Sequence, residues 1–364
     1  MIFDRTYWLL GLPFDAVDME EAVRRIQAAS ASRRRLTVVT PNVNFVSMAG
    51  QDPDFRESVL DSQLSLVDGM PLVWQGRRAG IPFRERVAGS SLLERLAAER
   101  RAAPLKVFFF GGEPGVSEMA ARQIPAFGPG LVSVGSFFPG FGSIDTMSTS
   151  EIITDINRAR PDLLILSLGA KKGHQWIARN KALLEVPVIT HLGAAVNFIA
   201  GTIRRAPVWM QNSGLEWLWR IRQEPQLFRR YWTDGLFFLG ALRQQSAVAA
   251  SAAQAEAPFS AEPVGTSAQN RWLVRGSMAG PNCSRFEDFV DQILSGPEGS
   301  PLIDLAGVTR LDARSLGVLY SLRYRSDSNI RPQLVCSSAE GLQLLRQQRA
   351  DCLLSVPLAA STLQ

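Results

Sequence analysis

Up to about residue 200, short apolar runs alternate with amphipathic stretches along the chain. The apolar runs predict strands at Leu36–Thr40, Leu64–Val67, Lys106–Phe110, Leu131–Ser136, Asp162–Leu168 and Val186–Thr190. The amphipathic stretches predict helices at Met19–Ala29, Asp54–Leu60, Ser91–Arg101, Gly115–Gln123, Ser150–Ala159 and Gly173–Asn180. Strands separated by helices are typical of an α/β fold, here a Rossmann-like parallel sheet covered on both faces. Ligands of such sheets bind at the carboxyl ends of the strands, so the loops that follow them are the candidate site.

The rest of the chain changes character twice. Residues 201–245 carry seven arginines against three acidic residues and four of the eight tryptophans, which predicts a basic, aromatic helical appendage. Residues 246–270 are rich in Ala, Ser, Gln, Pro and Glu and predict a flexible linker. The predicted organisation is therefore an α/β domain over 1–200, the appendage over 201–245, the linker and a small α/β domain over 271–364.

Composition narrows the class of protein. A net charge of +5 and a pI near 9.4 favour anionic partners, namely a phosphorylated substrate, anionic lipid or nucleic acid. Cys283, Cys336 and Cys352 form no CxxC pair, which fits a reduced cytosolic setting. Met1–Glu20 lacks the features of a signal peptide, and no apolar run approaches the ~20 residues of a spanning helix. Any membrane role is therefore expected to be peripheral.

The segments with the most chemistry are Thr40-Pro41-Asn42-Val43-Asn44 and Leu66-Val67-Asp68-Gly69-Met70-Pro71, each after an apolar strand. Gly69 permits a tight turn that leaves the Asp68 carboxylate at the rim of the sheet. A carboxylate there can act as a general base on an incoming hydroxyl. The alternative is an Asp-Gly turn in which Asp68 bonds to its own backbone, and the residues alone favour that alternative.

A strand also runs into a glycine-rich turn and a helix at Phe108-Phe109-Phe110-Gly111-Gly112-Glu113-Pro114-Gly115. Free N–H groups at a helix start can hold a diphosphate. Because the full dinucleotide-binding fingerprint is missing, a merely tight strand-to-helix turn is an equally good interpretation.

Metal binding is not expected. Asp52-Pro53-Asp54 has the D-x-D form of a metal motif, but no apolar strand precedes it, and Asp54 reads better as a helix N-cap after Pro53. His174 and His191 share no ligand spacing, so each is expected to be a structural histidine.

Together these segments resemble the WecG/TagA/CpsF family of glycosyltransferases over about Tyr7–Leu242. The resemblance is carried by Leu10-Gly11-Leu12-Pro13-Phe14-Asp15, Thr40-Pro41-Asn42, Asp68-Gly69-Met70-Pro71, Arg86-Val87-Ala88-Gly89-Ser90 and Phe110-Gly111-Gly112. Its most specific part is Arg205-Ala206-Pro207-Val208-Trp209-Met210-Gln211 followed by Gly214-Leu215-Glu216-Trp217-Leu218-Trp219-Arg220.

The resemblance implies an inverting, metal-independent enzyme without a cofactor that moves a sugar from a UDP-sugar to an undecaprenyl-diphosphate-linked sugar. It implies Asp68 as the general base, Thr40 and Asn42 as residues that position substrate, and Arg86 as a cation near the acceptor or diphosphate. Without a metal, arginines and backbone N–H groups must meet the charge of the departing UDP. The further candidates for that role are Gly111, Gly112, Gly169, Arg220 and Arg222.

Two segments depart from the family pattern. Where the family usually has Gln and Glu ahead of a Trp-Ile pair, this chain has Gly173 and His174. Where the family usually has a carboxylate after the next strand, this chain has the amide of Asn197. These changes imply either a different donor or a weakened activity.

The appendage and the last domain suggest partners. Trp and Tyr prefer the headgroup region of a bilayer and arginine is drawn to anionic lipid, but the residues alone fit a hairpin packed on the catalytic domain equally well. The family resemblance favours docking on the inner face of the cell membrane, because the acceptor that it implies is lipid-bound. Residues from Arg271 to Val356 resemble a STAS domain, a module of anti-sigma-factor antagonists. The phosphorylated Ser of such domains is Ala313 here, so a docking or self-association module is expected rather than a kinase switch.

Two functions remain open at this point. The first is a cytoplasmic, membrane-peripheral glycosyltransferase in surface polysaccharide synthesis. The second is a non-catalytic membrane-associated scaffold that acts through the STAS-like domain. Nucleic-acid binding is not expected, because no recognised motif accompanies the basic segment.

Overall fold

The computed structural model describes residues 5–251, 257–264, 270–295, 300–326 and 332–355. It divides into two compact units. The large unit comprises Ala16–Arg77 and Pro82–Gly235, and the small unit comprises Met1–Asp15, Arg78–Ile81 and Leu236–Gln364.

Strands and helices are numbered in chain order. The strands are β1 (Thr6–Leu9), β2 (Leu12–Asp15), β3 (Leu36–Val39), β4 (Leu64–Ser65), β5 (Leu105–Gly111), β6 (Leu131–Phe137), β7 (Leu163–Ser167), β8 (Val188–His191), β9 (Ser260–Pro263), β10 (Arg271–Ser277), β11 (Leu302–Arg310) and β12 (Gln333–Val335). The helices are α1 (Met19–Ala31), α2 (Val43–Gln51), α3 (Pro53–Leu60), α4 (Met70–Arg78), α5 (Gly89–Ala98), α6 (Val116–Gln123), α7 (Ser150–Arg158), α8 (Ala170–Asn180), α9 (Gly193–Ile199), α10 (Val208–Asn212), α11 (Glu216–Gln223), α12 (Leu227–Ser251), α13 (Pro281–Leu294), α14 (Ala313–Tyr324) and α15 (Ala339–Gln347).

The large unit is built on a six-stranded sheet of order β4-β3-β8-β7-β5-β6, in which every neighbouring pair is parallel. All six strands predicted from the apolar runs are present, so the α/β fold class is confirmed. Because the strands are parallel, their carboxyl ends lie at one edge of the sheet, and the loops after β3, β4, β5, β7 and β8 meet there.

Both faces of this sheet are covered. In β5, Val107 and Phe109 pack into a core with helices α1, α5, α6 and α9, while Phe108 and Phe110 pack into a second core with α7 and α8. Successive side chains of a strand point to opposite faces, so an unbroken apolar run is what a sheet covered on both sides requires.

The small unit contains a four-stranded sheet of order β12-β11-β10-β9 and the antiparallel hairpin β1-β2. The hairpin packs on helix α14, where a side chain at Gly317 would clash with the backbone of Thr6. Asp15, fully buried at the end of β2, forms a two-bonded ion pair with Arg325 just after α14. The first strands of the chain thus belong to the same compact unit as its last third, whereas the sequence pattern grouped them with residues 1–200.

The linker predicted over 246–270 contains regular structure. Residues 246–251 complete helix α12, and Ser260–Pro263 forms edge strand β9, antiparallel to β10. Composition predicted a linker because these residues cannot form a core alone, but pairing with β10 gives β9 its backbone hydrogen bonds, and Pro263 is tolerated on an edge strand. Residues 252–256 and 265–269 of this segment lie outside the described residues, as do 1–4 and 356–364 of the predicted terminal domains.

Candidate active site

Asp68 lies three residues beyond the end of the short strand β4, at the carboxyl edge of the large unit's sheet. Its backbone N–H donates to the carbonyl of Pro41 (3.0 Å), and the N–H of Val87 donates to the carbonyl of Val67 (2.9 Å). These bonds join the loops after β3 and β4 to the segment that leads into α5. The position of the Asp68 backbone is therefore fixed by three separate parts of the chain.

The first residue of helix α5 closes this arrangement. The backbone N–H of Gly89 donates to the Asp68 carboxylate, at a helix whose N-cap, Ala88, offers no side-chain acceptor. A Cβ at Gly89 would lie 2.6 Å from Leu192 Cδ2 and 3.3 Å from Thr40 Oγ1, so only glycine fits. The start of α5 thus brings Thr40 and Asp68, from two neighbouring strands, to one place.

Two arginines and a second carboxylate surround Asp68. Arg86 Nη1 donates to Glu216 Oε2 at 2.7 Å, and the side chains of this pair are 12% and 22% exposed. Burial raises the pKa of the Asp68 carboxyl to about 6; Arg86 lowers it, Glu216 raises it, and the Gly89 N–H and Arg205 lower it. A carboxylate with a pKa near neutrality is what a general base needs at physiological pH.

Arg205 is anchored on α5. Its guanidinium pairs with Glu94 and donates to Ser91 Oγ, both within the first two turns of that helix. The segment ahead of α10 is thereby fastened beside the Asp68 site. The sequence did not predict Arg205 or Glu216 as site residues, although both lie in the most specific part of the family resemblance.

Thr40 and Asn42 lie where the strand pattern predicted, directly after β3. Thr40 is buried. Asn42 is the N-cap of α2, and its Oδ1 accepts from the N–H of Phe45 at 3.3 Å. The Asn42 side chain therefore has a structural task at the helix start, next to the Asp68 turn.

The glycine-rich turn after β5 is tightly packed. Gly111 and Gly112 have φ of +95° and +90°, a backbone conformation that favours glycine. The Gly112 N–H donates to the carbonyl of Ser167 at 2.6 Å, and a Cβ at Gly111 would lie 2.7 Å from Leu168 Cδ2. Since the Gly112 N–H is engaged, the structure favours a tight strand-to-helix turn at this residue, and a diphosphate role stays a prediction.

Gly169 and the two predicted arginines differ in surroundings. Gly169 is the N-cap of α8, with open space where a side chain would be. Arg220 pairs with Glu224 and lies 5.7 Å from the centre of the Phe198 ring in α9, the helix that follows β8. Arg222 is exposed. Arg220 thus packs against α9, while the arginines that act on Asp68 are Arg86 and Arg205.

Two histidine rings pack together at the segment that departs from the family pattern, namely His174 of that segment and His191 of β8. A side chain at Gly173 would clash with the imidazole of His191, whose Nε2 lies 3.0 Å from the Leu168 carbonyl oxygen. His174 packs edge-on against the rings of Phe45 and Phe55. Burial lowers the pKa of His174 to about 3 and that of His191 to about 4, so both are neutral. The expectation of two structural histidines fits this packing.

The Asp-Pro-Asp segment corrects one prediction. Asp52, not Asp54, is the N-cap of α3: its carboxylate accepts from the Phe55 N–H at 3.0 Å, and Pro53 occupies the first turn. Proline is well suited to that position because its missing N–H would be unpaired there. Asp52 also pairs with Lys171 at 2.6 Å. Within the described residues, no three His, Cys, Asp or Glu side chains gather as a metal site would require.

Comparisons with known proteins identify relatives of this chain. The chain is 26% identical over 214 residues to an N-acetylglucosaminyldiphosphoundecaprenol N-acetyl-beta-D-mannosaminyltransferase of Staphylococcus aureus strain MRSA252. The matched stretch covers 58% of this chain and 82% of that enzyme. The enzyme of the same name from strain NCTC 8325 matches to the same extent. The model of the glycosyl transferase WecG/TagA/CpsF family matches residues 7–251. The chain therefore belongs to the WecG/TagA/CpsF family of glycosyltransferases.

Proposed function

We propose that this protein transfers a hexose or N-acetylhexosamine from a UDP-sugar to a sugar linked to undecaprenyl diphosphate, with inversion at the anomeric carbon. The observation that carries the proposal is Asp68, held at the sheet edge with a pKa near 6 and flanked by Arg86. The names of the two staphylococcal relatives supply the acceptor class, a lipid-linked N-acetylglucosamine, and one candidate donor sugar, N-acetylmannosamine.

The chemistry follows from the groups around Asp68. Its carboxylate accepts the proton of the acceptor hydroxyl as that oxygen attacks the anomeric carbon of the donor. The bond between this carbon and the UDP oxygen breaks on the opposite face, and its electron pair leaves with UDP. Arg86 and Arg205 are the nearby cations that can stabilise the diphosphate charge, and the open N-terminus of α8 at Gly169 adds backbone N–H groups.

The appendage supports a location at the membrane surface. Several large apolar side chains of α10–α12 are exposed to solvent, among them Trp209 (64%), Trp232 (61%) and Phe228 (56%). The side chains of Arg222, Arg229 and Arg230 are exposed on the same stretch of chain. Exposed tryptophan together with arginine suits an anionic headgroup layer, where the lipid-linked acceptor resides. No helix in the described part of the chain is long and apolar enough to cross a bilayer.

A non-catalytic scaffold acting through the STAS-like part of the small unit is the second candidate. It is favoured by Gly173 and His174, which replace polar family residues with a packed histidine pair. The assembled surroundings of Asp68 oppose it, because a scaffold has no need for a carboxylate of raised pKa beside two arginines.

A donor panel tests the proposal. Purified protein is incubated with a set of UDP-sugars and a short-chain polyprenyl-diphosphate N-acetylglucosamine, and the products are identified by mass spectrometry. A disaccharide on the lipid carrier from at least one donor is the expected result. No transfer from any donor, by protein that still binds vesicles, would favour the scaffold.

A further inference from the structure

Glu216 is a carboxylate of the appendage that lies near the candidate base. It is the first residue of α11 and accepts a hydrogen bond from Arg86, which lies 130 positions earlier in the chain. Arg86 in turn lies close enough to Asp68 to act on its charge. The guanidinium is thus bonded to the carboxylate of the appendage and acts electrostatically on the carboxylate of the sheet edge.

We infer that Glu216 is a positioning residue of the glycosyl transfer: its carboxylate anchors Arg86 beside Asp68 and fastens the start of α11 to the segment that carries the base. The inference rests on the proposed function, because it assigns Glu216 a task in that reaction. Glu216 itself is not a catalytic residue, since it acts through Arg86.

The geometry limits what else could hold Arg86. Its side chain is only 12% exposed, so water offers little compensation if the Glu216 carboxylate is removed. A guanidinium left without that partner can satisfy its charge most directly at Asp68. The base would then be bound more tightly by Arg86 and would accept a proton less readily.

The charges that face Asp68 point the same way. Glu216 raises the pKa of Asp68, whereas Arg86 and Arg205 lower it, and Arg205 is itself paired with Glu94. Removing the charge of Glu216 takes away a carboxylate that opposes the two arginines. We therefore expect the pKa of Asp68 to fall when Glu216 is neutralised.

A titration that needs no substrate tests the inference. Protein labelled with ¹³C at the aspartate carboxyls is titrated from about pH 4 to 8, and Asp68→Asn identifies the Asp68 signal by its disappearance. In Glu216→Gln the Asp68 pKa should fall by about half a unit or more, roughly a threefold change in proton affinity. Glu216→Asp, which keeps the charge, should restore most of the shift. Glu151→Gln, at an exposed carboxylate in the first turn of α7, is the matched control and should change nothing.

Kinetics completes the test. The assay uses the donor and acceptor that are active with the unmodified protein. In Glu216→Gln the acidic limb of the kcat/KM profile should move to lower pH, and kcat at neutral pH should fall about tenfold. The control Glu151→Gln should keep the wild-type kcat and the wild-type pH profile. An unchanged Asp68 titration in folded Glu216→Gln would overturn the role of Glu216, even in an active transferase. A shifted titration in a protein that transfers no sugar would overturn the proposed function instead, and with it any reaction for Glu216 to serve.

Discussion

The buried ion pair of the small unit gives the most quantitative prediction. Asp15 is fully buried and accepts two hydrogen bonds from Arg325, at 2.7 and 3.0 Å. Thr6 Oγ1 donates to the same carboxylate at 2.7 Å, and the Arg325 guanidinium stacks 5.1 Å from the Tyr320 ring. Asp15→Ala would leave a guanidinium that is 12% exposed without its counter-charge.

The cost follows from that burial. Breaking a buried pair by removing one partner destabilises a protein by about 3–5 kcal/mol, because the remaining charge is uncompensated. For a unit of this size, such a loss lowers the melting temperature by roughly 6–20 °C. Asp15→Ala/Arg325→Met removes both charges and should recover part of the loss, since the penalty belongs to the orphaned charge rather than to the pair.

Differential scanning calorimetry of the full chain measures these effects. The matched control is Glu262→Ala in the same unit, at a carboxylate that is 62% exposed and 3.9 Å from Arg275. Exposed pairs contribute at most about 1 kcal/mol, so this control should melt close to wild type. If the unfolding free energy of Asp15→Ala also lies within about 1 kcal/mol of the wild-type value, the hairpin β1-β2 does not depend on helix α14 as described.

Three further predictions concern metal, membrane and packing. EDTA should leave transferase activity unchanged, because arginines surround Asp68; activity lost in EDTA and restored by Mg²⁺ or Mn²⁺ would contradict this. The protein should sediment with anionic vesicles, and less of it should sediment at high salt. A variant in which the exposed residues Arg222, Arg229 and Arg230 are each changed to Glu should no longer sediment with the vesicles. Equal sedimentation of wild type and variant at low salt would show that these arginines lie on an ordinary solvated face. Gly173→Ala should destabilise the large unit by about 1–3 kcal/mol because its methyl group meets His191, as urea unfolding can measure; an unchanged midpoint would mean that the histidine moves freely.

Much of the large unit could be predicted from the sequence. Its strands are unbroken apolar runs, such as Phe108-Phe109-Phe110, because both faces of the sheet are covered, and that pattern is visible without a structure. The hairpin β1-β2 and strand β9 were not predicted. Their stability depends on partners distant in the chain, α14 for the hairpin and β10 for β9, and local periodicity carries no record of such partners.

The candidate site, too, could be predicted from the sequence only in part. Thr40 and Asp68 were predicted because each follows a strand, and parallel strands bring their carboxyl ends together. The pairing of Arg86 with Glu216 spans 130 residues, so no local spacing could reveal it. The structural task of Asn42 and the capping role of Asp52 depend on where a helix begins, which sequence patterns place only to within a few residues.

The most direct test of the account is the pH dependence of transfer by wild type and Asp68→Asn. A base whose pKa is about 6 must be deprotonated, so wild-type kcat/KM should rise with pH and level off above that value. Asp68→Asn should melt close to wild type yet lose about 10²-fold or more in kcat and lose this acidic limb. Turnover within a few-fold of wild type, with the limb intact, would remove Asp68 from the mechanism and contradict the proposed reaction.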